Sequence, residues 1–239
     1  MTAPFAVIDK HFSVVLLGQF NALHHLPENL LRMGLLNSDD AELTKIDIIT
    51  PSDIQLELPW GHLRVEPTGP DSNRLSISLN DYSAYTLFRD FLVSIVNYND
   101  TAAPYVMGFN HRFWVQHPTR NAWDNFGDCL TPKQSWLEVF EREGGRAGMN
   151  ELSMKIDAIL EPVFVSDQRA PELNISIKPV KHTPDGVERE FCTECGLNYH
   201  FRLGEVDSVQ NTLNTIERYF DEIFHGGQPT ITKLIEKFS

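Results

Sequence analysis

Residues 105–116 read YVMGFNHRFWVQ and residues 195–203 read CGLNYHFRL, and the alternation within these two stretches decides the fold class. In the first, Tyr105, Met107, Phe109, His111, Phe113 and Val115 fall on one side of an extended chain, and Gly108, Asn110, Arg112 and Gln116 on the other. The second belongs to a longer run, Val187 to Leu203, which sets Phe191, Cys195, Leu197, Tyr199, Phe201 and Leu203 against Cys192, Glu194, Gly196, Asn198, His200 and Arg202. A side-chain period of two is the mark of a strand with one buried face. Both runs also contain Gly-apolar-Asn-x-x-Phe in the same register, so Gly108 shares a face with Asn110 and Gly196 with Asn198, while Phe113 and Phe201 fall on the apolar side. Two readings account for this: a duplicated half, or two amphipathic strands that coincide at three positions.

Working outward, Phe12 to Leu17 predicts a buried strand closed by Gly18, and a brief helix follows from Pro27, with Leu30, Leu31 and Met33 on its apolar side and Gly34 as its stop. Ile46 to Leu58 predicts strand broken at Pro51, and Leu63 to Glu66 and Leu75 to Leu79 predict two more, with turns at Pro59-Trp60-Gly61 and Gly69-Pro70-Asp71. Helical spacing returns over Tyr82 to Val96, with Asn80 or Asp81 as cap. Arg120 to Leu130 and Lys133 to Phe140 predict helices with Trp123, Phe126, Leu130, Trp136 and Phe140 turned inward and a stop at Glu143-Gly144-Gly145. Strands are expected around Leu152 to Ile156 and Leu173 to Ile177. A last helix should start at Asp207 with a capping box to Gln210, bury Val209, Leu213, Ile216, Phe220, Ile223 and Phe224, and end at Gly226-Gly227 before an amphipathic piece around Ile231, Leu234, Ile235 and Phe238.

The expected fold class is α+β: a mostly antiparallel, twisted sheet, or two small joined sheets, with long helices packed on one face and possibly two related halves. In domain terms, 1–117 reads as an N-terminal α+β half, 118–145 as a helical connection and 146–239 as a C-terminal half with the terminal helix, the whole able to form one domain.

The 239 residues are 41% hydrophobic and 22% charged, a globular composition. With 20 basic against 33 acidic residues the net charge is −13, which argues against nucleic acid or an anionic membrane surface as partner and favours a basic one. No apolar stretch approaches a membrane span, no leader pattern opens the chain, and three cysteines are few for a secreted scaffold, so the expected location is cytoplasmic.

The candidate chemistry is sparse. Cys192-Thr193-Glu194-Cys195 has Cys-x-x-Cys spacing, with Cys129, His182 and His200 as conceivable further ligands, but within a strand the two thiols point to opposite faces. His24-His25 is too close a pair to chelate without a sharp turn, and Gly144-Gly145-Arg146-Ala147-Gly148 follows a helix where a phosphate loop would follow a strand. Asp124, Asp128 and Glu138, beside Trp123 and Trp136, could pair for acid–base work, but solvated helix faces explain them better. No hydrolase elbow, zincin, kinase or dinucleotide signature is found, and no metal and no cofactor are expected.

The polar face of the two long strands is the stronger candidate. Asn110, Arg112, Trp114, Asn198, His200 and Arg202 gather there if the strands are neighbours, forming a basic and aromatic patch on an acidic protein. The opening VVLLGQFNALHHLPENLLRMGLL, the mid-chain Gly-x-Asn-x-x-Phe strand and the long Asn-containing strand before a terminal helix together resemble a group of uncharacterised bacterial proteins. The resemblance implies a bacterial or phage-related origin and carries no activity. The expected function is a non-enzymatic interaction module that binds a protein partner, or forms a homo-oligomer, through the polar sheet face or the C-terminal helix. The alternative is a ligand-binding protein or enzyme that takes a small anionic ligand in a cleft between the halves.

Overall fold

The computed structural model describes residues 5–139, 147–161, 170–204 and 206–239. Nine strands form one antiparallel sheet: β1 (Ala6–Gly18), β2 (Lys45–Ile49), β3 (Ile54–Leu58), β4 (Gly61–Gly69), β5 (Ser72–Leu79), β6 (Val106–Gln116), β7 (Leu152–Ile156), β8 (Glu172–His182) and β9 (Arg189–Arg202). Their order is β2-β3-β4-β5-β1-β6-β9-β8-β7, so the sheet passes unbroken through the β1–β6 pair and two separate sheets are excluded. The helices are α1 (Pro27–Arg32), α2 (Ser38–Leu43), α3 (Tyr85–Tyr98), α4 (Arg120–Leu130), α5 (Gln134–Val139) and α6 (Ser208–Phe238).

The period of two is kept through the middle of the sheet, with register shifts confined to Val7/Asp9, Ile46/Ile48, Pro67/Gly69 and Val180/His182. Ile46, Leu56, Leu63, Ile77, Val14, Phe109, Tyr199, Leu173 and Ile156 are successive cross-strand partners, one from each strand. The row beside it, Lys45, Glu57, His62, Ser78, Ser13, Asn110, Asn198, Asn174 and Lys155, is polar from edge to edge. A slip of one residue in an inner strand would put a polar group into the core, so burial of the first row from Leu56 to Leu173 fixes the register of the second, while Ile46 and Ile156 at the two edges are exposed.

The apolar face is covered by α3 and α6. Phe12, at the centre of β1, meets Phe88 of α3 at 5.7 Å between ring centroids and Phe220 and Phe224 of α6 at 5.8 and 5.0 Å, mostly edge to face. Phe113 and Phe201 are both buried on this side, as their register requires. The Asp81 carboxylate caps the turn that leads into α3, and Gly34 closes the α1 segment with φ 70°.

Several expectations need correcting. α6 does not stop at Gly226-Gly227 but runs through both glycines and Pro229 for 31 residues. A Cβ at Gly227 would lie 2.7 Å from the His111 ring, so this glycine brings the helix close to β6 and does not end it. Asp207 precedes α6 with φ 52° and makes no capping bond, because its backbone is left-handed where a capping residue is extended. Val209 and Leu213 are half-buried, Leu31 and Met33 are exposed, and Trp136 is 61% exposed because α5 lies outside the core. Phe140 and the stop at Glu143-Gly144-Gly145 lie outside the described residues.

The two Gly-x-Asn-x-x-Phe strands, β6 and β9, are neighbours in the sheet, with Asn110 directly opposite Asn198.

Candidate functional site

On the face that no described helix covers, the three amides of the polar row form a hydrogen-bonded chain across β8, β9 and β6. Asn174 Nδ2 donates to Asn198 Oδ1 at 3.2 Å, Asn198 Nδ2 donates to Asn110 Oδ1, and Asn110 Nδ2 reaches the Gly108 carbonyl at 3.4 Å. Gly108 leaves room for the pair, since a Cβ there would lie 3.0 Å from Asn198 Nδ2 and crowd it. Each amide keeps a second N–H and spare acceptor capacity, so the chain offers donors and acceptors together.

These residues floor a trough of about 610 Å³ lined only by strands. Ser13 and His11 close it on the β1 side, Ser153 and Lys155 on the β7 side, and Arg112, Lys178 and Glu194 stand at one end. No helix residue lines it. Glu194 is largely covered and forms ion pairs with Lys178 Nζ at 3.0 Å and Arg112 Nε at 3.4 Å. Lys155 bridges Glu172 at 2.9 Å and Asp157 at 3.2 Å, and the hydrogen bond from Lys155 holds the Glu172 carboxyl below its ordinary range. His11 is held below its ordinary value, first by burial, then by the charge of Arg112.

The six residues proposed from the sequence divide. Asn110, Arg112 and Asn198 line the trough, whereas Trp114, His200 and Arg202 lie on the same face outside it. Trp114 stacks on His182 at 4.6 Å and 11° between planes, and His182 Nε2 meets Asp9 Oδ2 at 2.9 Å, so that ring braces the ends of β1 and β8. His200 stands opposite Glu172, and burial lowers its pKa. Asn174, Ser176, Lys178, Ser153 and Lys155 were missed, because only the strand order places β8 beside β9 and β7 beside β8.

The other titratable candidates serve the core. His25 Nδ1 donates to the Asn21 carbonyl at 2.8 Å, and His111 Nε2 donates to the Ile223 carbonyl at 2.9 Å; burial lowers both to about 4 and keeps them neutral. His24, by contrast, is exposed, so the adjacent pair diverges. Cys192 and Cys195 point to opposite faces, as their spacing requires, but Cys192 is buried and not at the polar surface. A left-handed turn at Phe191, φ 58°, lays its Sγ against the Arg189 and Glu190 carbonyls at 3.5 and 3.6 Å. Burial pushes the Cys195 thiol up to about 12 and removes it as a nucleophile at neutral pH. Among the described residues, no group of three His, Cys, Asp or Glu side chains is placed to hold a metal ion, and no helix is long and apolar enough to cross a membrane.

Asp124 and Asp128 lie on α4 beside a second depression of about 570 Å³, where Asp124 pairs with Arg120 at 3.7 Å and Asp128 with Lys133. Each carboxylate thus has a cation of its own, which fits solvated helix faces better than acid–base work. Comparison with protein-family models, with curated proteins and with solved structures finds no match to this chain.

Proposed function

We propose that this protein is a non-enzymatic binding module that engages a protein partner through the uncovered polar face of its sheet, centred on the trough over Asn110, Asn174 and Asn198. The observation that carries this reading is the trough itself: strand-lined, open, and floored by amides that retain free donors and acceptors. An extended segment of a partner presents the complementary groups at every residue. The C-terminal helix is the poorer surface, because α6 spends Ile216, Phe220, Ile223, Phe224, Ile231 and Ile235 in the core.

The test is co-purification from the native host. Asn110→Ala together with Asn198→Ala is expected to lose a partner that the unaltered chain retains, while the circular dichroism spectrum and melting temperature stay close to those of the unaltered chain. Retention of every partner by a folded double variant would refute the proposal.

A further inference from the structure

At one end of the trough, two cations share a single carboxylate oxygen. Arg112 Nε and Lys178 Nζ both approach Glu194 Oε1, at 3.4 and 3.0 Å. The carboxylate is only 12% exposed, whereas Arg112 is 55% and Lys178 42% exposed, so the acid is sunk in the floor and the cations reach outward. Two positive charges on one negative charge leave a local excess of one at this end of the trough. Lys155, at the other end, faces two carboxylates, Glu172 and Asp157, so the positive excess is confined to the Arg112 end.

Between Arg112 and Ser176 the floor carries no side chain at Gly196, which leaves a small depression. This residue is paired across to Arg112 on β6 and to Ser176 on β8, and an added Cβ would stand 2.5 Å from Ser176 Oγ. The depression is lined by the Arg112 guanidinium, the Lys178 ammonium, the Ser176 hydroxyl and the Asn198 amide, beside the Glu194 carboxylate that both cations engage. The first four can all donate, and the local charge excess is a single unit.

We propose that the depression over Gly196 is an anion subsite that receives a carboxylate side chain from an acidic segment of the partner. The inference rests on the sheet-face reading and specifies the chemistry of that partner. A carboxylate restores one-to-one charge pairing, whereas a phosphate dianion would overcompensate the excess. The whole-chain charge of −13 favours a basic partner, but the charge at this site has the opposite sign. That same negative charge repels an acidic peptide over the rest of the surface, so saturable binding must come from a local site.

The experiment is fluorescence anisotropy of labelled hexaglutamate with the full chain at low ionic strength, and hexalysine in parallel. Saturable binding of hexaglutamate is expected, weakened about tenfold by Arg112→Gln and by Lys178→Gln, the size of one charge-assisted hydrogen bond. Gly196→Ala changes no charge and is expected to weaken binding by a similar factor. Lys45→Gln, at the far edge of the same face, should stay within about twofold of the unaltered chain. Each variant is first checked for an unchanged melting temperature, and Arg112→Lys is expected to recover part of the affinity if the Gln variant is destabilised.

Equal losses for Lys45→Gln and Arg112→Gln, or unaltered binding by a folded Gly196→Ala, would reduce the effect to diffuse charge and overturn the subsite. Preference for hexalysine would overturn it as well. Competition separates the two anion sources: glutarate should displace the peptide at lower concentration than inorganic phosphate, and the reverse order overturns the carboxylate assignment. If hexaglutamate does not bind while a co-purifying protein still depends on Asn110 and Asn198, the anion subsite fails and the sheet-face reading stands. If neither is seen, both fail.

Discussion

Gly226 and Gly227 are adjacent, lie in the same helix, and should respond to alanine with opposite signs. A Cβ at Gly227 would stand 2.7 Å from His111 Cε1 and Nε2 and 2.8 Å from Cδ2, against an ordinary contact of about 3.5–4.0 Å. The ring would have to retreat by about 1 Å, but Phe12 at 4.7 Å and Phe113, stacked at 5.4 Å, flank it. Such overpacking costs about 1 to 3 kcal/mol. Retreat also breaks the bond from His111 Nε2 to the Ile223 carbonyl, and His111 Nδ1 has no partner, so the buried imidazole is left with none, at a further cost of about 1 to 3 kcal/mol. The gain in helix propensity returns about 1 kcal/mol, so Gly227→Ala should destabilise by about 1 to 5 kcal/mol. A Cβ at Gly226 meets nothing within 4 Å, so Gly226→Ala should stabilise by about 1 kcal/mol. Urea denaturation reads both, with an unchanged m-value showing that the comparison is of stability alone. In a double-mutant cycle, His111→Ala should reduce the cost of Gly227→Ala. If Gly227→Ala stabilises the protein as Gly226→Ala does, the close approach of α6 to β6 is wrong.

Other expectations follow from the same structure. Phe220→Ala, at a fully buried site, should cost about 3 to 5 kcal/mol, and Leu213→Ala, half-buried, less than half as much; equal losses in chemical denaturation would mean that α6 is rotated from its described position. His25 and His111 titrate at about 4 in the fold against about 6.5 in the unfolded chain, so between these values the unfolded chain binds more protons. The stability they contribute is complete above about pH 6.5 and lost as pH falls through about 4, and between pH 7 and 5 the loss should be about 2 kcal/mol for each. Urea midpoints at the two pH values check this, and a flat profile would contradict neutral, buried rings. Phe113→Asp or Phe201→Asp should prevent folding by burying an unpaired charge, which circular dichroism of the purified variants would report, whereas Asn198→Ala should cost only about 1 kcal/mol because its amide faces the open side.

The sheet was legible because alternation is a local signal. YVMGFNHRFWVQ reports the inward face of β6, and the structure buries Met107, Phe109, His111, Phe113 and Val115 as that reading requires, whereas Tyr105, just before the strand, is exposed. Pro51 likewise parts β2 from β3, and Asp81 caps the turn into α3. What failed were signals with two physical meanings. A glycine pair reads as a helix stop, but it also serves where a helix must approach a neighbour closely, and only the position of His111 tells the two apart. Asp207 and Gln210 have capping-box spacing, but spacing does not disclose a left-handed backbone. Half of the trough was invisible for another reason. Asn174 and Ser176 were recognisable as outward positions of a strand, but that β8 lies beside β9 with Asn174 opposite Asn198 is a fact of topology, set by burial of Leu173 and Ile177 far from the amides themselves.

The claim that the uncovered sheet face is the binding surface is tested most directly by site-specific photo-cross-linking in the native host. A photoreactive residue is placed in turn at Ser13 and Ser176, in the trough, and at Glu217 and Arg218, on the exposed side of α6. The account predicts the same discrete protein adduct from both trough positions, lost when Asn110→Ala and Asn198→Ala are introduced, and no such adduct from α6. Adducts from α6 with none from the trough would contradict it.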